Sequence, residues 1–323
     1  MKAAIYTAPG GPEVLTYQEV ADPIAGPGEL LIKVEAISIE GGDLTHRRLV
    51  TPPHANWVVG YAAAGEVIAL GEGVTSFQVG QKVTTFAFDG SHASLRAVAA
   101  ATSWLVPAGL DMVTAATALI GLGTAAHALA LAEFKPGEKV LVTGATGGVG
   151  NGVVQLVAAA GSEVVGTASR AESLEQLKPL GLTKPVVLGG SAIGQQVQAA
   201  FAGERFDVVI DTVGTPSLPD LLPYLNDGAR LVIVGAKEFN TPITLTTVDM
   251  LSHRLKIIGC YIGPEMHQPA VRALLAQTLD RVASGELQVP LDQTYPLSQA
   301  AAAHQRAEER GRVGRVAIIP DKE

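Results

Sequence analysis

Residues 143–150 read TGATGGVG, with glycine at 144, 147, 148 and 150. The stretch follows EKVLV (138–142) and runs into NGVVQLVAAAG (151–161), so it joins a strand-like apolar run to a helix-like one. A helix N-terminus presents unpaired N–H groups and a partial positive charge, which suits an anionic phosphate. The absence of side chains at Gly147, Gly148 and Gly150 lets such a group approach the backbone closely. The spacing is Gly144-x-x-Gly147-x-x-Gly150 with an extra glycine at 148, not a strict G-x-G-x-x-G. Its context, the first strand of an alternating region entering a helix, is what points to a dinucleotide. The next strand discriminates between dinucleotides. EVVGTASRAES (163–173) has no carboxylate at its tip to hold a ribose 2′-hydroxyl, and has Ser169 and Arg170 instead. A hydroxyl and a guanidinium suit a 2′-phosphate, so the expected cofactor is NADPH.

Other reactive side chains are sparse. Cys260 is the one cysteine and stands near Ile257 and Ile258, as a core residue would. The seven histidines (46, 54, 92, 127, 253, 267, 304) include no i, i+4 pair that a helix would turn toward a metal.

The elements that must position these residues have two textures. Over the first third, AAIYT (3–7), LTYQEV (15–20), ELLIKVEAIS (29–38), GEVIAL (65–70) and KVTTFAF (82–88) are short, β-branched and separated by Gly-Pro turns. They predict a small antiparallel barrel. From about 135 apolar strands alternate with helices, which predicts a parallel sheet covered on both faces. A chain of 323 residues, 47% hydrophobic, accommodates two such units. The net charge of −8 argues against a nucleic-acid partner. A single cysteine and an N-terminus, MKAAIYTAPG, unlike a secretory signal give a cytoplasmic expectation. Residues 113–132 contain no Asp, Glu, Lys or Arg and are long enough to cross a bilayer. Their alanine, glycine and threonine content reads instead as a buried helix, with no membrane partner.

The β-rich start, KPGEKVLVTGATGGVG (135–150), DTVG (211–214) and the tail YPLSQAAAAH…GRVAIIP, in this order, resemble the medium-chain dehydrogenase/reductase superfamily. Within it the chain is most similar to zinc-independent quinone oxidoreductases of the zeta-crystallin type. The resemblance implies an α/β protein: a GroES-like β-barrel catalytic domain over 1–122, completed by 264–323, and a Rossmann domain over 123–263. It implies that Gly147, Gly148 and Val149 meet the pyrophosphate, that Thr146 beside them also binds the cofactor, and that Ser169 and Arg170 meet the 2′-phosphate. Val213, in DTVG, and Gly235 and Ala236, in VGAK (234–237), would border the adenine and nicotinamide sides. Thr124 matches a family threonine near the nicotinamide. Gly189 departs from the tyrosine that relatives often pack on the adenine. Strand-like RLKIIGCYIG (254–263) matches the edge through which family members dimerise, so a homodimer is expected.

Zinc members of the superfamily hold the metal with a cysteine and a Gly-His-Glu motif. This sequence has Glu40 at the cysteine position and Gly60-Tyr61-Ala62 at the motif, so no metal is expected. Without a metal, easily reduced acceptors are favoured: quinones and α,β-unsaturated carbonyls. Tyr61 is the candidate donor to the substrate, its phenol being protonated at neutral pH. Relatives commonly carry asparagine where Glu40 stands. A carboxyl there donates only if protonated, and otherwise orients Tyr61 or a ribose hydroxyl, or caps the Gly-Gly turn that follows. Two other functions fit the same sequence: reduction of enoyl thioesters, and NADPH binding with little turnover.

Overall fold

Short β-branched runs between Gly-Pro turns fold here as antiparallel strands, several of them buried on both faces over part of their length. The computed structural model describes residues 1–189, 193–214, 218–236 and 242–322. β1 (Lys2–Ile5) pairs with β2 (Thr16–Glu19) as a separate ribbon. β3 (Glu29–Ser38) is followed by α1 (Gly41–Leu49), β4 (Ala62–Leu70), β5 (Lys82–Phe86), β6 (Leu95–Ala99) and β7 (Ser103–Leu105). β3 is the centre of this unit and pairs antiparallel with both β4 and β6. The Gly-Gly stretch after Glu40, expected as a turn, is the first turn of α1. Glu40 is its N-cap, and Asp43 supplies the carboxylate that accepts from the Glu40 backbone N–H.

Helix α2 (Met112–Leu131) begins at Asp111, whose carboxylate accepts from Thr114 N at 2.9 Å. It is the charge-free segment, and 72% of its most apolar window is buried inside the protein. It runs unbroken across residue 122 and contacts β3, β4, α3 and α8 (both located below), so it serves both units.

The second unit alternates β8 (Val140–Thr143), α3 (Gly148–Ala159), β9 (Val164–Ala168), α4 (Ala171–Glu175), β10 (Lys184–Val187) and α5 (Ile193–Ala200). It continues with β11 (Phe206–Asp211), α6 (Leu218–Leu221), β12 (Leu225–Ile233), α7 (Thr247–His253) and β13 (Lys256–Gly259). The strands are parallel in the order β10-β9-β8-β11-β12-β13. That is the order of a Rossmann sheet, and it reverses between β8 and β11, where such sheets bind ligands beyond their carboxyl ends. After α8 (Pro269–Ala283) come β14 (Leu291–Pro296), α9 (Ala300–Glu308) and β15 (Arg315–Ile319). β15 pairs antiparallel with β3, Ala317 opposite Ser38, and so returns the end of the chain to the barrel sheet.

A buried polar chain fastens α9 to α1. Arg47 Nη1 lies 3.0 Å from His304 Nδ1, His304 Nε2 lies 2.9 Å from His92 Nε2, and His92 Nδ1 lies 3.0 Å from Ser91 Oγ. Arg47 can only donate, so His304 carries its proton on Nε2 and His92 carries its own on Nδ1. Both rings are therefore neutral. Burial, with Arg96 adding to it, pushes His92 down to about 3. His304 is held well below its ordinary value by burial, then by His92 and Arg47. Unfolded histidine binds a proton near ~6.5, and these folded rings do not. Their contribution to stability is therefore complete above that pH and is lost as pH falls toward about 3. His92→Gln should lower the pH slope of the urea-unfolding free energy between roughly pH 6.5 and 4 by about one proton. An unchanged slope would mean that the pair is already charged in the native state.

Candidate active site

At the carboxyl end of β8, Thr143 Oγ1 donates to Asp211 Oδ1 (2.5 Å) and Thr212 Oγ1 donates to Thr143 O (2.7 Å). Asp211 Oδ1 also accepts from the N–H groups of Val213 and Gly214, at 3.0 and 3.2 Å. Val234 N donates to Asp211 O at 2.8 Å. One aspartate thus gathers the loops after β8, β11 and β12 at the switch point. Thr146, Gly147, Val213, Gly235 and Ala236 belong to these loops, and Gly148 and Val149 open α3 directly after the first of them; Lys237 lies outside the described residues. Gly147 is the N-cap of α3, and its carbonyl accepts from Asn151 N at 2.9 Å.

Ser169 and Arg170 are exposed at the end of β9, and Arg170 is the N-cap residue of α4. The Arg170 side chain lies over the α-carbon of Gly311, and Ser173 Oγ donates to Gly311 O at 2.6 Å. The loop before β15 therefore lies beside the expected 2′-phosphate site, and exposed Arg310 precedes Gly311 in that loop. Among the described residues, nothing stands within 4 Å of a Cβ placed on Gly189. Thr124 is buried in α2. The residues of α2 that line the cleft by the glycine loop are Thr117, Gly121 and Leu122.

Arg315, the first residue of β15, enters the same cleft and is 9% exposed. A Cβ on Gly148 would stand 2.5 Å from its Nη1, so the guanidinium rests against the first residue of α3. Its Nη2 donates to Ile39 O (2.8 Å) and Ser38 Oγ (3.2 Å) and forms an ion pair with Glu40 Oε2. Its Nε is buried without a hydrogen-bond partner among the described residues. A helix N-terminus without side chains, beside a buried guanidinium with an unused donor, fits a dinucleotide pyrophosphate.

The barrel side of the cleft is built around Asp43. This fully buried carboxylate accepts from Glu40 N at 2.8 Å and from Tyr61 N at 3.0 Å, and so fixes the two positions together. Burial holds its carboxyl well above the usual carboxylate range, against the two N–H donors. Glu40 is 4% exposed, and Ser38 Oγ donates to its Oε1 at 2.7 Å. The Tyr61 carbonyl accepts from Arg96 Nη2 at 2.9 Å. The Tyr61 ring meets His46, Phe86 and Phe88 edge-on at 5.2, 5.8 and 5.5 Å, and any side chain at Gly42 would enter it. Burial raises its phenol above the ordinary value, and Asp43 adds to the rise. Phe88 touches Tyr261, 65% exposed, from the segment after β13, which closes an aromatic wall. Cys260 is buried nearby and its thiol is pushed up to about 12, mainly by burial. It is an inert core thiol.

Arg315 escapes sequence reasoning because its partners Ser38, Ile39, Glu40 and Gly148 are remote in the chain. The one local signal is a charge, Arg315, opening the apolar strand RVAII. Among the described residues no group of three or more His, Cys, Asp or Glu side chains is placed to hold a metal.

Residues 26–135 match the alcohol dehydrogenase GroES-like domain and residues 148–277 match the domain described as zinc-binding dehydrogenase. The chain is 31% identical to a quinone oxidoreductase of Sus scrofa, covering 96% of this chain and 95% of the relative. It is 29% identical to a 2-haloacrylate reductase of Burkholderia sp, covering 98% of each. It is 30% identical to a mycocerosic acid synthase-like polyketide synthase of Mycobacterium tuberculosis, over 91% of this chain but only 14% of that much longer protein. The Escherichia coli quinone oxidoreductase solved with NADPH superposes with a TM-score of 0.89 at 25% identity, covering 99% of this chain and 100% of that one. With both halves matched in order and full-length kinship above, the chain belongs to the quinone oxidoreductases of the medium-chain dehydrogenase/reductase superfamily.

Proposed function

We propose that this protein is an NADPH-dependent reductase that transfers hydride to quinones or α,β-unsaturated carbonyls without a metal. The observation that carries the reading is the line of groups at the switch point. The glycine loop and Arg315 suit a pyrophosphate, and Ser169 and Arg170, with no carboxylate at the tip of β9, suit a 2′-phosphate. Kinship with a quinone oxidoreductase solved with NADPH and with a 2-haloacrylate reductase supports both the cofactor and a conjugated acceptor.

Gly147, Gly148, Val149 and Arg315 would hold the pyrophosphate, with Ser169, Arg170 and Arg310 around the 2′-phosphate. When bound, NADPH supplies the hydride. The rings of Tyr61, Phe86, Phe88 and Tyr261 form an apolar, edge-rich wall that excludes water and suits a flat acceptor. The Tyr61 phenol, kept neutral by burial, donates a hydrogen bond to the acceptor oxygen as negative charge builds there. Solvent protonates the delocalised anion afterwards. The exposed apolar residues Ile257, Val248, Leu251 and Tyr261 on and near edge strand β13 support a homodimer built along that edge.

NADPH oxidation should be detected with quinones and enones and not with unactivated ketones. Consumption of ketones alone would overturn the acceptor class. In Arg170→Ala, kcat/KM for NADPH should fall roughly tenfold to a hundredfold while that for NADH stays level. A preserved NADPH preference would remove Arg170 from the 2′-phosphate site. Tyr61→Phe should slow single-turnover hydride transfer by about tenfold to a hundredfold with NADPH affinity unchanged. An equal rate in wild type and variant leaves the ring as packing only.

A further inference from the structure

We infer that Glu40 is an electrostatic brake on the dinucleotide: its carboxylate offsets the charge of Arg315 at the pyrophosphate site and so weakens the protein's grip on both NADPH and NADP⁺. The inference rests on the cofactor reading above and adds a residue that sets how tightly the cofactor is held.

Three observations lead to it. First, Glu40 does not present a free carboxyl to the aromatic wall. It is buried, Ser38 donates to one oxygen, and the other is paired with Arg315. Second, the guanidinium it pairs with is also the one against Gly148, at the N-terminus of α3. A phosphate brought to that helix start therefore meets Arg315 with a carboxylate one guanidinium away. Third, Arg315 does not depend on Glu40 for its position. Nη2 also donates to Ile39 O at 2.8 Å and to Ser38 Oγ at 3.2 Å, and Arg315 leads a strand paired into the barrel sheet. Neutralising Glu40 thus leaves the guanidinium in place with its charge unopposed. In a buried cleft that charge acts through low dielectric on whatever anion enters. The chemical consequence is a cofactor that leaves readily after it has been oxidised, from a site that would otherwise hold a polyanion through a helix N-terminus and several arginines.

The test is equilibrium titration of the wild-type protein, Glu40→Gln, Arg315→Gln and the double variant with NADPH and with NADP⁺, each over a range of salt. Glu40→Gln should bind both forms about tenfold more tightly and lose affinity more steeply as salt rises. Arg315→Gln should bind more weakly than wild type, and adding Glu40→Gln to it should recover part of the loss by removing the facing negative charge. That second comparison decides the question if the single Glu40 variant does not fold, because the double variant removes the buried pair together. A folded Glu40→Gln that binds NADP⁺ equally well or less well, or a double variant no tighter than Arg315→Gln, would overturn the inference while leaving the cofactor reading intact. A wild-type protein that binds neither NADPH nor NADP⁺ would remove that reading and the inference with it.

Discussion

The ion pair between Glu40 and Arg315 is the point at which the barrel, the Rossmann loop and the end of the chain meet. Arg315 lies 277 residues from Ser38, yet its guanidinium bonds that hydroxyl, the Ile39 carbonyl and the Glu40 carboxylate while resting on Gly148. Removing one partner of a buried pair leaves an uncompensated charge and costs on the order of 3–5 kcal/mol. The pair itself lies within the barrel, and the two units meet through the contact of Arg315 with Gly148 and through the apolar cluster of α2, α3 and α8. Fixing that relation fixes the distance between the dinucleotide loops and the aromatic wall. Hydride transfer depends on that distance more than on any acid.

On the barrel side the same economy holds for backbone atoms. Tyr61 has its N–H on Asp43 and its carbonyl on Arg96, so both main-chain polar groups go to buried polar side chains. Arg96 in turn donates to Thr85 Oγ1 and Asp89 O. His92 N, at the start of the histidine chain, donates to Val59 O next to this segment. The ring is thus positioned by a buried polar scaffold drawn from several segments of the barrel. Such a scaffold rigidifies when complete and is costly when broken.

This distribution explains what the sequence made legible. The alternation of strand and helix after residue 135, the glycine spacing and the Ser169-Arg170 tip are local patterns, and local patterns survive in one dimension. The first turn of α1 was not legible, because glycine at both 41 and 42 has poor helix propensity and the helix is supported by Asp43 instead. The same applies to Glu40. Its residue type left open whether it donates, orients or caps, and its role depends on Arg315, which lies near the far end of the chain. Arg310 likewise gains meaning only because the loop before β15 folds onto Arg170. Long-range charge pairing leaves no periodic trace, so these residues had to be found in space.

The environment of Tyr61 also bears on which acceptors the cleft can reduce. A phenol raised above its ordinary value gives up a proton less readily near neutral pH, while its O–H remains a good hydrogen-bond donor. It can stabilise charge on an oxygen without neutralising it. An unactivated ketone concentrates that charge on one alkoxide and needs a metal or a stronger acid. A quinone or enone spreads the charge over a conjugated frame, so a neutral donor and an apolar aromatic wall are enough. On the proposed reading of Tyr61 as donor, the burial that makes it a poor acid suits the cleft to conjugated acceptors.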